Sequence, residues 1–153
     1  MIPGRGTVVF LGPSLPASEA RARLPGAEIR PPVRLGDLYA LVPRRDIHDV
    51  LILDGVFHGE PPVWPREILA AIEAGKRVTG AASMGALRAL ELAPFGMLGI
   101  GTVLRWFAEG RIAGDDEVAL LHADAEMAWQ AISVAMVDLR HILDRAVAED
   151  RLC

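Results

Sequence analysis

Val50-Leu51-Ile52-Leu53 is an unbroken aliphatic run that stops at Asp54-Gly55. A strand with one wet face alternates apolar and polar side chains. A continuous run therefore implies burial on both faces, as in a central strand of a parallel sheet. Parallel strands need long crossovers, usually helical, and the rest of the chain can supply them. Thr7–Leu11 reads as a strand ended by Gly12-Pro13, Ser14–Leu24 as a helix, Ala27–Arg30 as a weak strand stopped by Pro31-Pro32, and Gly36–Val42 as a short helix. Trp64–Ala74 is expected to be helical, with Pro65 in its first turn and Gly75 past its end. Lys76–Ala82 reads as a strand and Met84–Leu92 as a helix stopped by Pro94.

The glycine-rich Gly96–Gly101 segment is expected to be a loop, Thr102–Glu109 a helix, and Asp115 or Asp116 the cap of a short helix up to His122. About Ala125 to Glu149 reads as one long helix, with Trp129, Ile132, Met136, Leu139, Leu143 and Val147 in an apolar stripe. That stripe suits either core packing or a partner surface. The expected fold class is α/β: a small three-layer sandwich with a mainly parallel sheet of about four strands and a helical C-terminal third. A chain of 153 residues suits a single domain over 1–153.

Composition narrows the function. The formal net charge is −4 and Lys76 is the only lysine, which argues against general nucleic-acid binding. No apolar stretch approaches the roughly 20 residues of a membrane span, and the opening residues do not read as a leader, so a cytoplasmic protein is expected. Cys153 is the only cysteine; an internal disulfide and a cysteine-based metal site are excluded. His48, His58, His122 and His141 lack zinc-site spacing. Asp115-Asp116-Glu117 reads better as an acidic helix start than as metal ligands. No glycine-rich dinucleotide or P-loop motif occurs, so no cofactor and no metal are expected.

Sites in such sheets form beyond the carboxyl ends of the strands. Three strand ends here carry unusual sequence: Gly12-Pro13-Ser14, Asp54-Gly55-Val56-Phe57-His58 and Ala81-Ala82-Ser83-Met84-Gly85. Strand, Ala-x-Ser-x-Gly, helix is the layout of a nucleophile elbow with Ala81 in place of the usual first glycine. Ser83 is thus a candidate nucleophile, with the amides of the following helix start facing a developing oxyanion; the alternative is that Ser83 only caps that helix. His58 is the candidate base and Asp54 the group that orients it. The plainer readings are a surface-loop histidine and an Asp-Gly turn. Arg34 could grip an anion, Asp37 could bind or merely cap its helix, and Arg88 with Glu91 forms an i, i+3 ion pair or contributes to the rim.

Several segments go beyond generic patterns. Val9-Phe10-Leu11-Gly12-Pro13-Ser14-Leu15, Arg30-Pro31-Pro32-Val33-Arg34-Leu35-Gly36-Asp37, Asp54-Gly55-Val56-Phe57-His58, Gly80-Ala81-Ala82-Ser83-Met84-Gly85-Ala86-Leu87-Arg88-Ala89 and Asp115-Asp116-Glu117-Val118-Ala119 with His122 resemble, in order, the blocks of the TfuA-like core domain family. The resemblance covers about Val9 to His122, and the Gly80–Ala89 block is the most distinctive.

The resemblance implies an accessory role in thioamidation by YcaO enzymes, which use ATP to activate a backbone amide of a ribosomally made peptide or protein. The partners it implies are a YcaO-type protein, a sulfur-carrier protein and the precursor peptide; a homodimer is a further possibility. It also implies help in supplying the sulfur, by release from a carrier thiocarboxylate or by recruitment; the elbow-like turn at Ser83 fits the first as a Ser-dependent (thio)acyl hydrolase site. The expected catalytic residues are Ser83, His58 and Asp54, with Ser14, Arg34, Asp37, Phe57, Met84 and Arg88 binding substrate. The alternative is a non-catalytic module that recruits the carrier or the peptide to YcaO.

Overall fold

A computed structural model describes residues 4–57 and 59–151. Five strands form one parallel sheet: β1 (Thr7–Phe10), β2 (Glu28–Arg30), β3 (Asp49–Ile52), β4 (Arg77–Gly80) and β5 (Leu98–Gly99), in the order β2-β1-β3-β4-β5. The helices are α1 (Ala17–Arg23), α2 (Asp37–Leu41), α3 (Pro65–Glu73), α4 (Ser83–Leu92), α5 (Thr102–Ala108) and α6 (Met136–Ala148). The expected α/β architecture and helical C-terminal part are present, with five strands in place of about four. The fifth lies inside the expected Gly96–Gly101 loop and is only two residues long.

Period-two alternation sends β1 and β3 side chains to two different cores. Val8, Phe10, Val50 and Ile52, with Val78 of β4, face Leu38, Leu41, Ile68, Ala71, Met84 and Leu92 from α2, α3 and α4. Val9 and Leu11, with Leu51 and Leu53 packed beside them, face Ala17 and Ala20 of α1 and Leu24 just past its end. Helices therefore cover both faces, which is why Val50–Leu53 has no polar member. A third cluster, with Trp106, Phe107, Ile112, Val118 and Val137, joins α5 to the C-terminal part; Phe57 and Leu87 pack on both it and the main core.

The amino-terminal edge of the sheet is tied by Lys76. Its ammonium is buried and donates to the carbonyls of Arg44 at 2.8 Å and Ile47 at 3.1 Å. Glu67, fully buried in α3, accepts from the Gly36 amide at 2.7 Å and the Trp64 amide at 3.2 Å. One carboxylate thus caps its own helix and fixes the entry to α2.

The long helix expected from about Ala125 to Glu149 is not formed. Ala125–Met127 is a single 3-10 turn, and Ala128 (φ 52°) and Trp129 (φ 61°) take left-handed backbone, which a right-handed helix cannot continue through. Ala131 forms an antiparallel bridge to His122, and only Met136–Ala148 is α-helical. Among the described residues no helix is long and apolar enough to cross a membrane.

Candidate functional site

The strand order reverses direction between β1 and β3, and the crevice beyond such a switch point is where ligands bind in open α/β sheets. The loops leaving β1 and β3 are fastened together there by Asp54. Its buried carboxylate accepts the Gly12 amide at 2.7 Å, the Ser14 amide at 3.1 Å and the Ser14 hydroxyl at 2.6 Å. The Asp54 carbonyl accepts the Val33 amide at 2.9 Å, and the Val56 amide donates to Val33 at 3.0 Å. Three segments from separate parts of the chain thus form one rim.

The loop after β4 joins the same rim. The Ala81 amide donates to the Ile52 carbonyl at 2.9 Å and the Gly85 amide to the Leu53 carbonyl at 3.2 Å. Met84 is buried against Gly55, where an added Cβ would sit 2.6 Å from the Met84 Cγ. Two glycines permit this approach: a Cβ on Gly80 would lie 2.0 Å from the Gly85 carbonyl oxygen, and one on Gly85 would lie 1.9 Å from the Ile52 carbonyl oxygen. One of these glycines is Gly80, one position before Ala81, which sequence spacing alone does not single out.

The turn itself is strained. Ala82 has φ 55° and ψ 175°, at the corner of a region that glycine alone normally occupies, and Ser83 has φ 23°. Such conformations cost on the order of 1–3 kcal/mol each and persist only where the surroundings enforce them. α4 begins at Ser83, and among the described residues no side chain caps it. The half-buried Ser83 hydroxyl instead donates to the Val118 carbonyl at 3.5 Å. Next to Val118, Glu117 takes a two-pronged grip from Arg140 of α6, 2.9 Å to each oxygen. The acidic Asp115–Glu117 segment is a 3-10 turn, and among the described residues no group of three or more His, Cys, Asp or Glu could hold a metal.

The other predicted site residues are placed as follows. His58 lies outside the described residues. Arg34 is exposed and pairs with Glu60 at 2.7 Å; that hydrogen bond raises its pKa above the ordinary arginine value. Asp37 accepts the Arg34 amide at 3.0 Å in the turn that leads into α2. Phe57 is half-buried between two cores. Arg88 pairs with Glu91, and its Nε is buried with no partner among the described residues. Asp54 and Ser14 are bonded to each other. No hydrogen bond joins Asp54 to Ser83 among the described residues.

Trp129, expected in the apolar stripe of a long C-terminal helix and not at a site, lies beside the β1 loop instead. Its Cβ lies 3.4 Å from where a Gly12 Cβ would be, its ring meets His122 edge-on at 5.5 Å, and it lines a cleft of about 640 Å³ with Leu11, Pro13, Arg21, Arg30 and Gln130. That cleft opens beside the β1 loop and does not include Ser83. No local signal marks Trp129, since its place depends on the backbone reversal at Ala128.

A family model described as TfuA-like protein matches residues 54–153. The matched stretch holds the blocks that begin at Asp54, Gly80 and Asp115, while the two earlier blocks precede it. No curated protein matches the chain.

Proposed function

This chain belongs to the TfuA-like family, which is known in general for accessory proteins of YcaO enzymes, and we propose that it releases sulfur for thioamidation from a carrier-protein thiocarboxylate at Ser83. The observation that carries this reading is the strained Ala82–Ser83 turn at the start of α4. A serine held at positive φ by two glycine close approaches, with a hydroxyl that does not cap its own helix, has the form of a nucleophile elbow.

The step balances without a cofactor. The Ser83 oxygen attacks the thiocarboxylate carbon, and its proton passes through a base to the leaving sulfur. The C–S bond breaks, hydrosulfide departs and an acyl ester of Ser83 remains. Water then hydrolyses the ester and frees the carrier carboxylate. His58 is the candidate base. The Ser83 and Met84 amides at the start of α4 are the candidate oxyanion donors, since those of Gly85 and Ala86 are already bonded to the Leu53 and Ala82 carbonyls. The ionised thiocarboxylate sulfur needs one proton to leave as hydrosulfide, and the proton that Ser83 gives up supplies it.

A second reading is favoured by Asp54. Three hydrogen bonds commit its carboxylate to the β1 loop, which suits a residue that shapes a rim for binding more than one that orients an imidazole. In that reading the chain recruits the carrier or the precursor peptide to YcaO, and the cleft beside Trp129 takes the ligand. Reconstitution with the YcaO partner, a thiocarboxylated carrier and the precursor peptide separates the two. Folded Ser83→Ala protein that still supports normal hydrosulfide release and oxygen-to-sulfur exchange eliminates the nucleophile. Loss of release with YcaO and carrier binding intact supports it.

A further inference from the structure

α6 is mounted with its polar side toward the protein. At 3.6 residues per turn, Val137, Arg140, His141 and Asp144 share one stripe. Val137 is buried, Arg140 grips Glu117, the His141 ring lies against Trp106 at 5.8 Å, and Asp144 pairs with Arg111 at 2.6 Å. The stripe next to it, about a third of a turn round the helix, is Met136, Leu139, Ile142, Leu143 and Val147, all between 41 and 59% exposed. Ile132 and Val134, just before the helix, are exposed as well. A surface helix normally turns its apolar stripe inward; this one is anchored by ion pairs and turns it out.

We propose that this stripe is covered by α6 of a second copy of the chain, the two helices packing antiparallel about a two-fold axis near His141 and Ile142. Two observations choose this occupant. The first is area. The exposed apolar side chains of 132–147 offer on the order of 700 Å² per copy, close to the roughly 800 Å² per partner that a standard interface buries, and more than monomers ordinarily leave open. The second is charge. Asp138 and Arg145 flank the stripe on one edge, seven residues apart. An antiparallel two-fold pairing brings Asp138 of each copy opposite Arg145 of the other, so one surface is complementary to itself, as an isologous interface requires. Asp138 has no ion-pair partner among the described residues, whereas Arg145 reaches Glu149 within its own helix at 2.8 Å. The pairing uses none of the groups assigned to sulfur release and does not depend on that function.

Light scattering at micromolar concentration should give a dimer mass, and Ile142→Asp with Leu143→Asp a monomer with unchanged circular dichroism. A wild-type monomer overturns the proposal, as does a dimer that survives the double substitution. Asp138→Arg should weaken the dimer and Asp138→Arg with Arg145→Asp should restore it; a double variant no better than the single overturns the charge pairing. In a Cys153→Ser background, Ile142→Cys sits at the axis and should oxidise to a covalent dimer. Met136→Cys lies about 16 Å from its mate in the antiparallel arrangement, beyond the roughly 7 Å limit for a disulfide, and should not. Cross-linking at 136 in place of 142 overturns the antiparallel arrangement.

Discussion

Ser14 and Asp54 stand forty residues apart and meet in one short hydrogen bond, hydroxyl to carboxylate at 2.6 Å. With the Gly12 and Ser14 amides on its other oxygen, Asp54 closes the switch-point crevice from below. Hydrogen bonds to a charged group contribute about 1.5–3 kcal/mol each, and their buried donors are costly to orphan. Asp54→Ala is therefore expected to destabilise the fold by on the order of 3 kcal/mol or more, read by urea denaturation. Ser14→Ala, which removes only the hydroxyl, should cost about 1–2 kcal/mol. Equal losses for the two variants would refute the view that Asp54 organises the whole loop.

The strained Ala82–Ser83 turn and the close approach at Gly85 predict two changes of opposite sign. Ala82 is held at φ 55°, so Ala82→Gly should relieve strain and raise stability by about 1 kcal/mol, after the greater unfolded-state entropy of glycine is allowed for. Gly85→Ala places a methyl 1.9 Å from the Ile52 carbonyl oxygen and should destabilise by about 3 kcal/mol or more, because backbone and not a flexible side chain must move. Thermal unfolding of both variants checks the pair; a neutral Gly85→Ala would mean that α4 does not approach β3 as described.

Ser83→Ala should leave unfolding nearly unchanged, since among the described residues the hydroxyl makes only one long bond, to Val118 at 3.5 Å. Hydrosulfide release from a thiocarboxylated carrier should fall roughly a thousandfold or more if the oxygen is the nucleophile. Single-turnover release assays measure the loss directly.

The acid limb of stability contains one assignable contribution. The Arg44 guanidinium, hydrogen-bonded to Asp46 at 2.6 Å, lowers the Asp46 carboxyl from 3.8 to about 2. A carboxyl depressed in the folded state contributes stability above its unfolded pKa, and that contribution is lost as pH falls through the folded value. The deficit of Asp46→Asn relative to wild type should thus be constant above about pH 4 and vanish toward pH 2. The pair is solvent-exposed, so the deficit should be small and should shrink in molar salt. A deficit that grows as pH falls would contradict the pairing.

The legible parts of this fold carried local signals. The Val50–Leu53 run predicted a doubly covered strand, and Pro65 with Gly75 framed α3. β5 was not legible because two residues give no periodicity; it exists through pairing with Thr79 and Gly80 of β4. The C-terminal helix was read too long because apolar spacing continues through Ala128 and Trp129, where the backbone turns left-handed without a glycine to announce it. At the candidate site, Asp54 and Ser83 stand out by position after strands. Their partners, Ser14 and Val118, lie 40 and 35 residues away, and no local pattern encodes a contact of that separation.

The buried seat of Lys76 also has a chemical consequence. It is the chain's single lysine, and its nitrogen is spent on two carbonyls at the base of the sheet. The fold therefore offers no accessible lysine amine to an electrophile. An activated ester or thioester meets instead imidazole, thiol and hydroxyl groups, whose acyl adducts water can hydrolyse, while the guanidinium groups stay protonated and inert. Permanent amide scars, the usual end of stray acyl groups on proteins, have no lysine on which to form.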